Sequence, residues 1–431
     1  MVFDVGLAVF AVMIVLLILN VPIAIGIAFA ALAGVAVVGG LPIMIVVQRM
    51  FTGLDTFPLV AVPLFILAGR LMAMGGATED LINVARALVG FLKGGLAYIN
   101  VVGSLIFTGM TGSAAADTST FGTILIPAMK DKGYKIGFTT AITSTSSILG
   151  IIIPPSIPLV IYGITTNTSI GRLFVAGFIP GFLMFIALMV VTAILCKKHD
   201  YPREERVSRK EAVLMILRGI PAMFTIIIII GGIRGGFFTP TEGAGMAAAY
   251  SFLLAIFYYR KIKIWQIPKI IVDVAITTGQ VMLMVATASA LAWLFARQGI
   301  PAAIGGFLMG ITDNRILLIL IINLLLLFIG LFLDLTPAVI IFAPILLPIA
   351  VSLGIDPVHF GLIMIINLGI GLSTPPSGVC LFIACGIAKV PIASVIKSFL
   401  PFLLAMVVVL MIITYIPQLV MFLPDLMMPT N

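Results

Sequence analysis

The chain has 431 residues, of which 62% are hydrophobic and only 9% charged, with a formal net charge of +8. A soluble domain carries roughly 25% charged residues, so too little polar surface exists to cover a water-exposed globule, and the mean hydropathy of +1.30 is that of a polytopic membrane protein. The 24 Lys and Arg residues lie mainly in short loops between apolar runs, a pattern of membrane orientation rather than nucleic-acid binding. Three cysteines and two histidines offer neither a disulfide framework nor a histidine-built metal centre.

At about 20 residues per span, the length leaves room for roughly 10–12 spans and no large soluble domain. Residues 1–4 lack a basic segment, so no cleavable signal peptide is expected. Apolar spans are predicted at 5–20, 22–39 and 58–74. The amphipathic stretch 77–94, interrupted by Glu79, Asp80, Asn83, Arg86 and Lys93, reads as an interfacial helix. Residues 95–130 are apolar but broken at Gly112–Asp117, and two short arms around small residues predict a re-entrant hairpin. A helix over 137–169 is interrupted by Pro154-Pro155-Ser156-Ile157-Pro158, because prolines remove amide donors. A span at 172–195 precedes the polar segment 197–211, read as a cytoplasmic linker. The second half repeats this order: spans at 219–235, 243–259 and 270–297, an interfacial stretch at 299–314, a hairpin at 315–352, a broken helix at 356–388 and a span at 399–423.

The repetition has a register. Pro127 and Pro348 are 221 positions apart (348 minus 127), and so are the Pro-Pro-Ser triplets at 154 and 375 (375 minus 154). Gly133 with Gly354 and Gly150 with Gly371 share that offset. Two tandem halves are therefore expected, 1–196 and 212–431. The turn after the first hairpin, Lys130 to Lys135, is basic, whereas its counterpart Gly354 to His359 has no Lys or Arg. By the positive-inside rule the two turns face opposite sides, so the second half is inverted. Arg49, Arg297 and Arg315 run against the trend. The expected fold is an all-α polytopic membrane protein of two inverted-topology repeats, with about 10 transmembrane helices and two re-entrant hairpins.

Inverted repeats with discontinuous helices are the build of secondary transporters, with sites at the midplane where the breaks meet. Freed carbonyls of Gly150, Ile153, Gly371 and Thr374, with hydroxyls of Thr108, Thr111, Ser113, Ser373 and Thr374, suit a monovalent cation such as Na⁺; a divalent ion wants more carboxylates. Helix N-termini after Ser113 and Asp334 suit an anion. Asp117 and Asp334 are ionisable groups inside membrane segments and so are functional candidates; the alternative is a capping role. The hydroxyls of Ser144 to Ser147 either face a substrate or bond back to their own helix. Asn323 and Asn367 read as interhelical polar contacts, Trp293 as an interface anchor, and Thr239-Pro240-Thr241-Glu242 as a capped turn. Arg70 and Arg234 are expected to snorkel, though an arginine reaching a carboxylate substrate stays open. No nucleophile arrangement and no phosphate loop occur, which argues against an enzyme and against ATP hydrolysis.

Four motifs carry a resemblance: Thr111-Gly112-Ser113-Ala114-Ala115-Ala116-Asp117, Ser146 to Ser156, Gly236-Phe237-Phe238-Thr239-Pro240-Thr241-Glu242, and Ser373-Thr374-Pro375-Pro376-Ser377-Gly378. In this order they resemble the large membrane subunit of a TRAP (tripartite ATP-independent periplasmic) transporter, over essentially the whole chain. The resemblance implies a multi-pass protein of the bacterial inner membrane, with both termini periplasmic, that imports an organic acid anion such as a C4-dicarboxylate or sialic acid with Na⁺ by an elevator motion. It implies a periplasmic binding protein and a small four-helix membrane subunit, here expected as a separate chain. At least two Na⁺ ions are implied, one at Thr108, Thr111, Ser113, Gly150, Ile153 and Pro154, the other at Gly330, Asp334, Gly371, Thr374 and Pro375. For the anion the candidates are Ser113, Asp117, Ser144, Ser146, Ser156, Asp334, Ser373 and Ser377. The rival reading is a self-sufficient ion-coupled carboxylate transporter of the same architecture that needs no binding protein.

Overall fold

The computed structural model describes residues 2–19, 21–312, 314–376 and 378–428. It is helical, and among the described residues the sole extended pairing is an isolated bridge between Lys93 and Arg203. Helices α1 (Val2–Ile18), α2 (Ile23–Val38), α3 (Met44–Leu54), α4 (Ala61–Gly75) and α5 (Ala77–Val89) lead to a hairpin of α6 (Gly95–Thr111) and α7 (Ala114–Asp131). A helix in pieces follows, α8 (Ile136–Ser146), α9 (Leu149–Ile152) and α10 (Ile157–Thr166), and then the long α11 (Ile170–His199). The second run opens with α12 (Arg209–Arg234), α13 (Pro240–Leu253), α14 (Ile267–Gln298) and α15 (Ile300–Ile311). It continues with the hairpin α16 (Arg315–Phe332) and α17 (Leu335–Ser352), the broken pair α18 (Pro357–Leu372) and α19 (Val379–Ala388), then α20 (Ile396–Tyr415) and α21 (Pro417–Met427).

The second hairpin arms start at Ala114 and Leu335 and end at Asp131 and Ser352, and the next helices open at Ile136 and Pro357. All three pairs differ by 221 (335 minus 114, 352 minus 131, 357 minus 136), the offset of the proline motifs. By length and apolar character seven helices can cross a membrane, or eight when the pair Ile136–Ile152 and Ile157–Thr166, bent by 43°, counts as one span. Two of the seven are the arms α16 and α17. Helix α11, at 30 residues, is about 45 Å long against a hydrocarbon core of about 30 Å. Its last turn, with Lys197, Lys198 and His199, therefore reaches the polar region.

Burial separates inner from outer helices. Helices α6 and α18 are buried along nearly their whole length. By contrast α12 and α14 expose Ile220, Phe224, Ile227, Val272 and Ile276, a surface only lipid or another apolar partner can cover. Hydrogen bonds that join the halves among the described residues include Tyr162 Oη donating to the Pro357 carbonyl at 2.8 Å and Arg172 paired with Asp425 at 2.6 Å.

Four segments differ from the sequence reading. Helix α3 forms where no helix is expected, and its Arg49 lies 4.9 Å from the Trp293 ring centroid, with Arg297 at 5.6 Å on the same ring. Two of the off-trend arginines thus have an aromatic partner. The amphipathic α5 turns its apolar stripe (Leu81, Ile82, Val84, Ala85) into the protein, against α6 and α12, rather than into lipid. The span expected at 399–423 divides into α20 and α21 at Pro417, which has no amide to continue the ladder.

The fourth segment is the linker, which forms a strap. Gly94 N donates to Pro202 O at 3.0 Å, Glu204 N to Gly90 O at 3.3 Å, and Tyr134 Oη to Pro202 O at 3.3 Å. Tyr201 stacks on Tyr134 with centroids 4.4 Å apart, and ion pairs link Lys93 to Asp200 and Lys132 to Glu204. The Lys93 ammonium holds the exposed Asp200 carboxyl below the usual carboxylate range.

Close helix contact at the second break depends on absent side chains. A Cβ on Gly371 would sit 2.3 Å from the Gly330 carbonyl oxygen, whereas one on Gly386 would meet nothing within 4 Å. Gly371→Ala should therefore destabilise by about 1–3 kcal/mol through overpacking, while Gly386→Ala is neutral or gains about 0.5–1 kcal/mol. Thermal unfolding of the two variants in detergent checks this, and equal melting temperatures would contradict it.

Candidate functional site

The site begins with missing amides. In a helix the amide of residue i+4 bonds the carbonyl of residue i, and proline has none. Pro154 and Pro155 therefore strip the carbonyls of Gly150 and Ile151, as Pro375 and Pro376 strip those of Gly371 and Leu372. Ser156 repairs one of these losses: its hydroxyl donates to Ile151 O at 2.6 Å and accepts from Leu159 N at 3.3 Å, which also starts α10. Thr374 N repairs another by donating to Gly371 O at 3.0 Å. The Gly150 carbonyl is left without a donor from its own helix, because the nearest remaining amide, Ile153, bonds Leu149 O at 3.0 Å.

The first hairpin tip docks on this break. Gly112 turns the chain with a φ of +60°, and its carbonyl accepts from Ile157 N at 3.4 Å. A Cβ there would lie 2.7 Å from Pro155 O, so only glycine fits. Ser113 then caps α7, accepting from Ala116 N at 3.4 Å. Thr108 donates its hydroxyl hydrogen to Ser104 O, leaving the oxygen lone pairs unused. Thr111 is 5% exposed, and its hydroxyl has no hydrogen-bond partner among the described residues. Thr108, Thr111, Ser113, Gly150, Ile153 and Pro154 are thus gathered where hairpin and break touch.

The second hairpin repeats the arrangement with a different cap. Asp334 stands at the position of Ser113 in the 221 register (334 minus 113) and caps α17, its Oδ1 accepting from Leu335 N at 2.9 Å. Gly330 and Gly371 pack backbone to backbone, and Thr374 Oγ1 donates to Ile370 O at 2.6 Å. Pro375 follows directly.

Between the two tips lies a cavity of about 530 Å³. Residues 111–116 and Asp334–Thr336 of the two tips line it, with Ile157, Leu372 and Cys380 from the broken helices. Its far wall comes from outside the hairpins: Gly69 and Arg70 of α4, and Thr277 and Gln280 of α14. Among the described residues no group of three His, Cys, Asp or Glu could hold a metal, so an ion here would meet hydroxyl and carbonyl oxygens with a single carboxylate.

Of the residues expected to meet an anion, Ser113 and Asp334 face this cavity. Ser144, Ser146, Ser156 and Ser373 are fully buried and line none of it. Ser373 Oγ donates to Ser144 O at 2.8 Å, joining the two broken helices, and Ser146 Oγ donates to Asn100 Oδ1 at 3.1 Å. Asp117 is also wholly buried behind the tip; Ser113, not Asp117, caps the helix, and neither Asp117 oxygen has a hydrogen-bond partner among the described residues. Ser377 lies outside the described residues. Asn323 and Asn367 bond each other at 2.7 Å, and Thr239 with Glu242 forms a reciprocal cap. Thr277 and Gln280 are not anticipated by the sequence reading. Their one signal is spacing, two polar residues three apart on one face of an apolar helix.

Comparison with known proteins places this geometry. The profile of the family described as "Tripartite ATP-independent periplasmic transporter, DctM component" matches residues 10–419. The chain is 39% identical over 411 residues to the sialic acid TRAP transporter large permease protein SiaM of Vibrio cholerae, covering 95% of this chain and 96% of that one. It is 34% identical over 436 residues to the C4-dicarboxylate TRAP transporter large permease protein DctM of Rhodobacter capsulatus, covering 98% and 99%. These relatives are named as transporter permeases, not as enzymes. The crystal structure of the YdaH transporter of Alcanivorax borkumensis is similar in fold, with a TM-score of 0.52 over 86% of each chain at 15% identity.

The bond between the broken helices can be removed singly. Ser373→Ala leaves Ser144 O without that donor and should cost about 1 kcal/mol. A fall in the thermal midpoint in detergent, with unchanged helical content by circular dichroism, is the expected result.

Proposed function

We propose, from the premise that the chain belongs to the DctM-component family of tripartite ATP-independent periplasmic transporters, that it imports an organic acid anion coupled to Na⁺. As an integral membrane protein it would lie in a bacterial inner membrane with both termini periplasmic. A periplasmic binding protein delivers the anion, and a small four-helix membrane subunit completes the assembly. The carried anion is a C4-dicarboxylate, sialic acid or a similar carboxylate. The observation that supports this reading best is the single cavity into which both hairpin tips and both helix breaks converge.

The donor set suits Na⁺. The Gly150 carbonyl, without a donor from its own helix, and the Thr111 hydroxyl, without a partner among the described residues, are neutral hard oxygens where the first hairpin meets the first break. One ion is held by Thr108, Thr111, Ser113, Gly150, Ile153 and Pro154, the other by Gly330, Asp334, Gly371, Thr374 and Pro375. Coupling then follows from charge. Asp334 is the one carboxylate lining the cavity and repels an anion; Na⁺ bound beside it neutralises that repulsion, so ion and anion each raise the affinity of the other.

In the transport step residues 1–196 and 212–431 act as inverted repeats joined by 197–211. The two hairpins and broken helices move as one body past the remaining helices, an elevator that carries the cavity across the membrane. The exposed apolar surface of α12 and α14 suits a static frame facing lipid and the small subunit.

Uptake of labelled organic acids into proteoliposomes under an inward Na⁺ gradient tests the reading, with the chain alone, with the small subunit, and with both partners. Uptake with both partners only is expected, and uptake by the chain alone would overturn the tripartite part. Asp334→Asn and Thr374→Ala should each raise the Na⁺ concentration for half-maximal uptake about tenfold, a loss of about 1.4 kcal/mol. An unchanged Na⁺ dependence in both would remove the second ion site.

A further inference from the structure

The cavity has one basic side chain in its wall, and the ion sites make no use of it. Arg70 lies on α4, outside both hairpins, and lines the cavity together with Ser113 and Asp334. No hydrogen bond or ion pair joins it to any described residue, and its side chain is open to the cavity. An arginine without a carboxylate on a membrane helix is costly and calls for a partner.

Helix packing fixes its level. Gly69 next to it presses against the first hairpin tip, where a Cβ would sit 3.0 Å from Thr111 Cα and 3.4 Å from Thr111 O. The α4 backbone therefore runs alongside the tip at the level of Thr111 and Gly112, which seats Arg70 beside the N-terminal turn of α7. Thr277 and Gln280 of α14 complete that wall with neutral hydrogen-bonding groups.

The geometry points to Arg70 as the residue that recognises the negative group of the cargo. A carboxylate, or a sulfonate of the same charge, lies between the guanidinium and the N-terminal turn of α7, with Gln280 and Thr277 meeting the neutral polar part of the molecule. The planar fork of arginine matches such a group bidentately, which a lysine does not reproduce. This inference rests on the transport reading above and adds to it a specificity residue outside the moving hairpins. Its position implies that the anion is clamped from both sides only while the hairpins face α4. Displacement of the hairpins removes the arginine from one side and weakens the hold on the anion.

Two measurements test it. In the tripartite reconstitution, Arg70→Gln should raise the KM for the transported acid about ten- to a hundredfold while leaving the Na⁺ concentration for half-maximal uptake, measured at saturating acid, unchanged. Arg70→Lys should fall between the two. In parallel, the unmodified chain in detergent is treated with phenylglyoxal, and modification at Arg70 is read by mass spectrometry with and without succinate or N-acetylneuraminate. Protection of Arg70 by either acid is expected, and this arm needs no variant to fold. If transport proceeds with an unaltered KM in Arg70→Gln and neither acid protects Arg70, the inference fails and the transport reading stands. If no Na⁺-driven uptake is found yet an acid protects Arg70, the anion site stands and the coupling reading fails. Absence of both overturns both.

Discussion

A backbone carbonyl stripped of its helical donor inside a membrane has no water to turn to, so protein or a bound ion must satisfy it. Two Pro-Pro pairs impose that condition on this chain twice, and much of the central architecture answers it. Ser156 satisfies one freed carbonyl, the Thr374 amide another, and the tip of the first hairpin closes over the first break with a bond from Ile157 to Gly112. The glycines at 112, 330 and 371 follow from the same demand, since backbone can approach backbone only where side chains are missing. The Gly150 carbonyl keeps no donor from its own helix and the Thr111 hydroxyl has no partner among the described residues; Thr111 lines the cavity, and Gly150 packs against Ser113 of the same tip.

The two halves share a frame but not a chemistry. At equivalent positions of the repeat the first hairpin is capped by Ser113 and the second by Asp334. Each half ties its first hairpin arm to its broken helix by a buried asparagine, yet Asn100 bonds Thr143 and Ser146 whereas Asn323 bonds Asn367. Arg70 adds to the difference, because its register partner on α14 is Leu291 (291 minus 70 is 221). A duplicated scaffold thus encloses one asymmetric pocket, with a carboxylate near one tip and a guanidinium near the other. Such polarity suits a site that takes both cations and an anion, and a perfectly symmetric pair of halves would lack it.

The breaks were legible in the sequence because a proline acts on its own neighbours: Pro154, Pro155, Pro375 and Pro376 dictate their local backbone wherever the rest of the chain goes. Asp334 was legible for the same reason, as a capping residue before a helical run, whereas in the first hairpin the capping role expected of Asp117 falls to Ser113. Other features depend on what folds against what. Ser146, Ser156 and Ser373 carry hydroxyls suited to a ligand but donate them to Asn100, Ile151 and Ser144 inside the protein, and the buried Ser144 hydroxyl, without a partner among the described residues, lies away from the cavity. Helix α5 has the pattern of an interfacial helix because α6 and α12 play the part that lipid would otherwise take. The wall formed by Arg70, Thr277 and Gln280 joins positions more than 200 residues apart with no local motif, so only the folded chain brings them together.

The strap between the halves has a mechanical consequence. Its ties to the base of the first hairpin include a buried ring, Tyr201 at 4% exposure stacked on Tyr134, and at the aqueous edge exposed ion pairs; the side chains of Lys93 and Asp200 are 41% and 83% accessible. Contacts of this kind are worth roughly 0–1 kcal/mol each and weaken as salt rises past the point where the Debye length falls to about 8 Å. Salt therefore loosens only the rim of the seam, while the buried Tyr201 ring keeps the strap seated on Tyr134 and Phe138. The crossing between the two halves is thus fastened to the base of the first hairpin by an aromatic seat whose hold, unlike that of the ion pairs, does not depend on ionic strength.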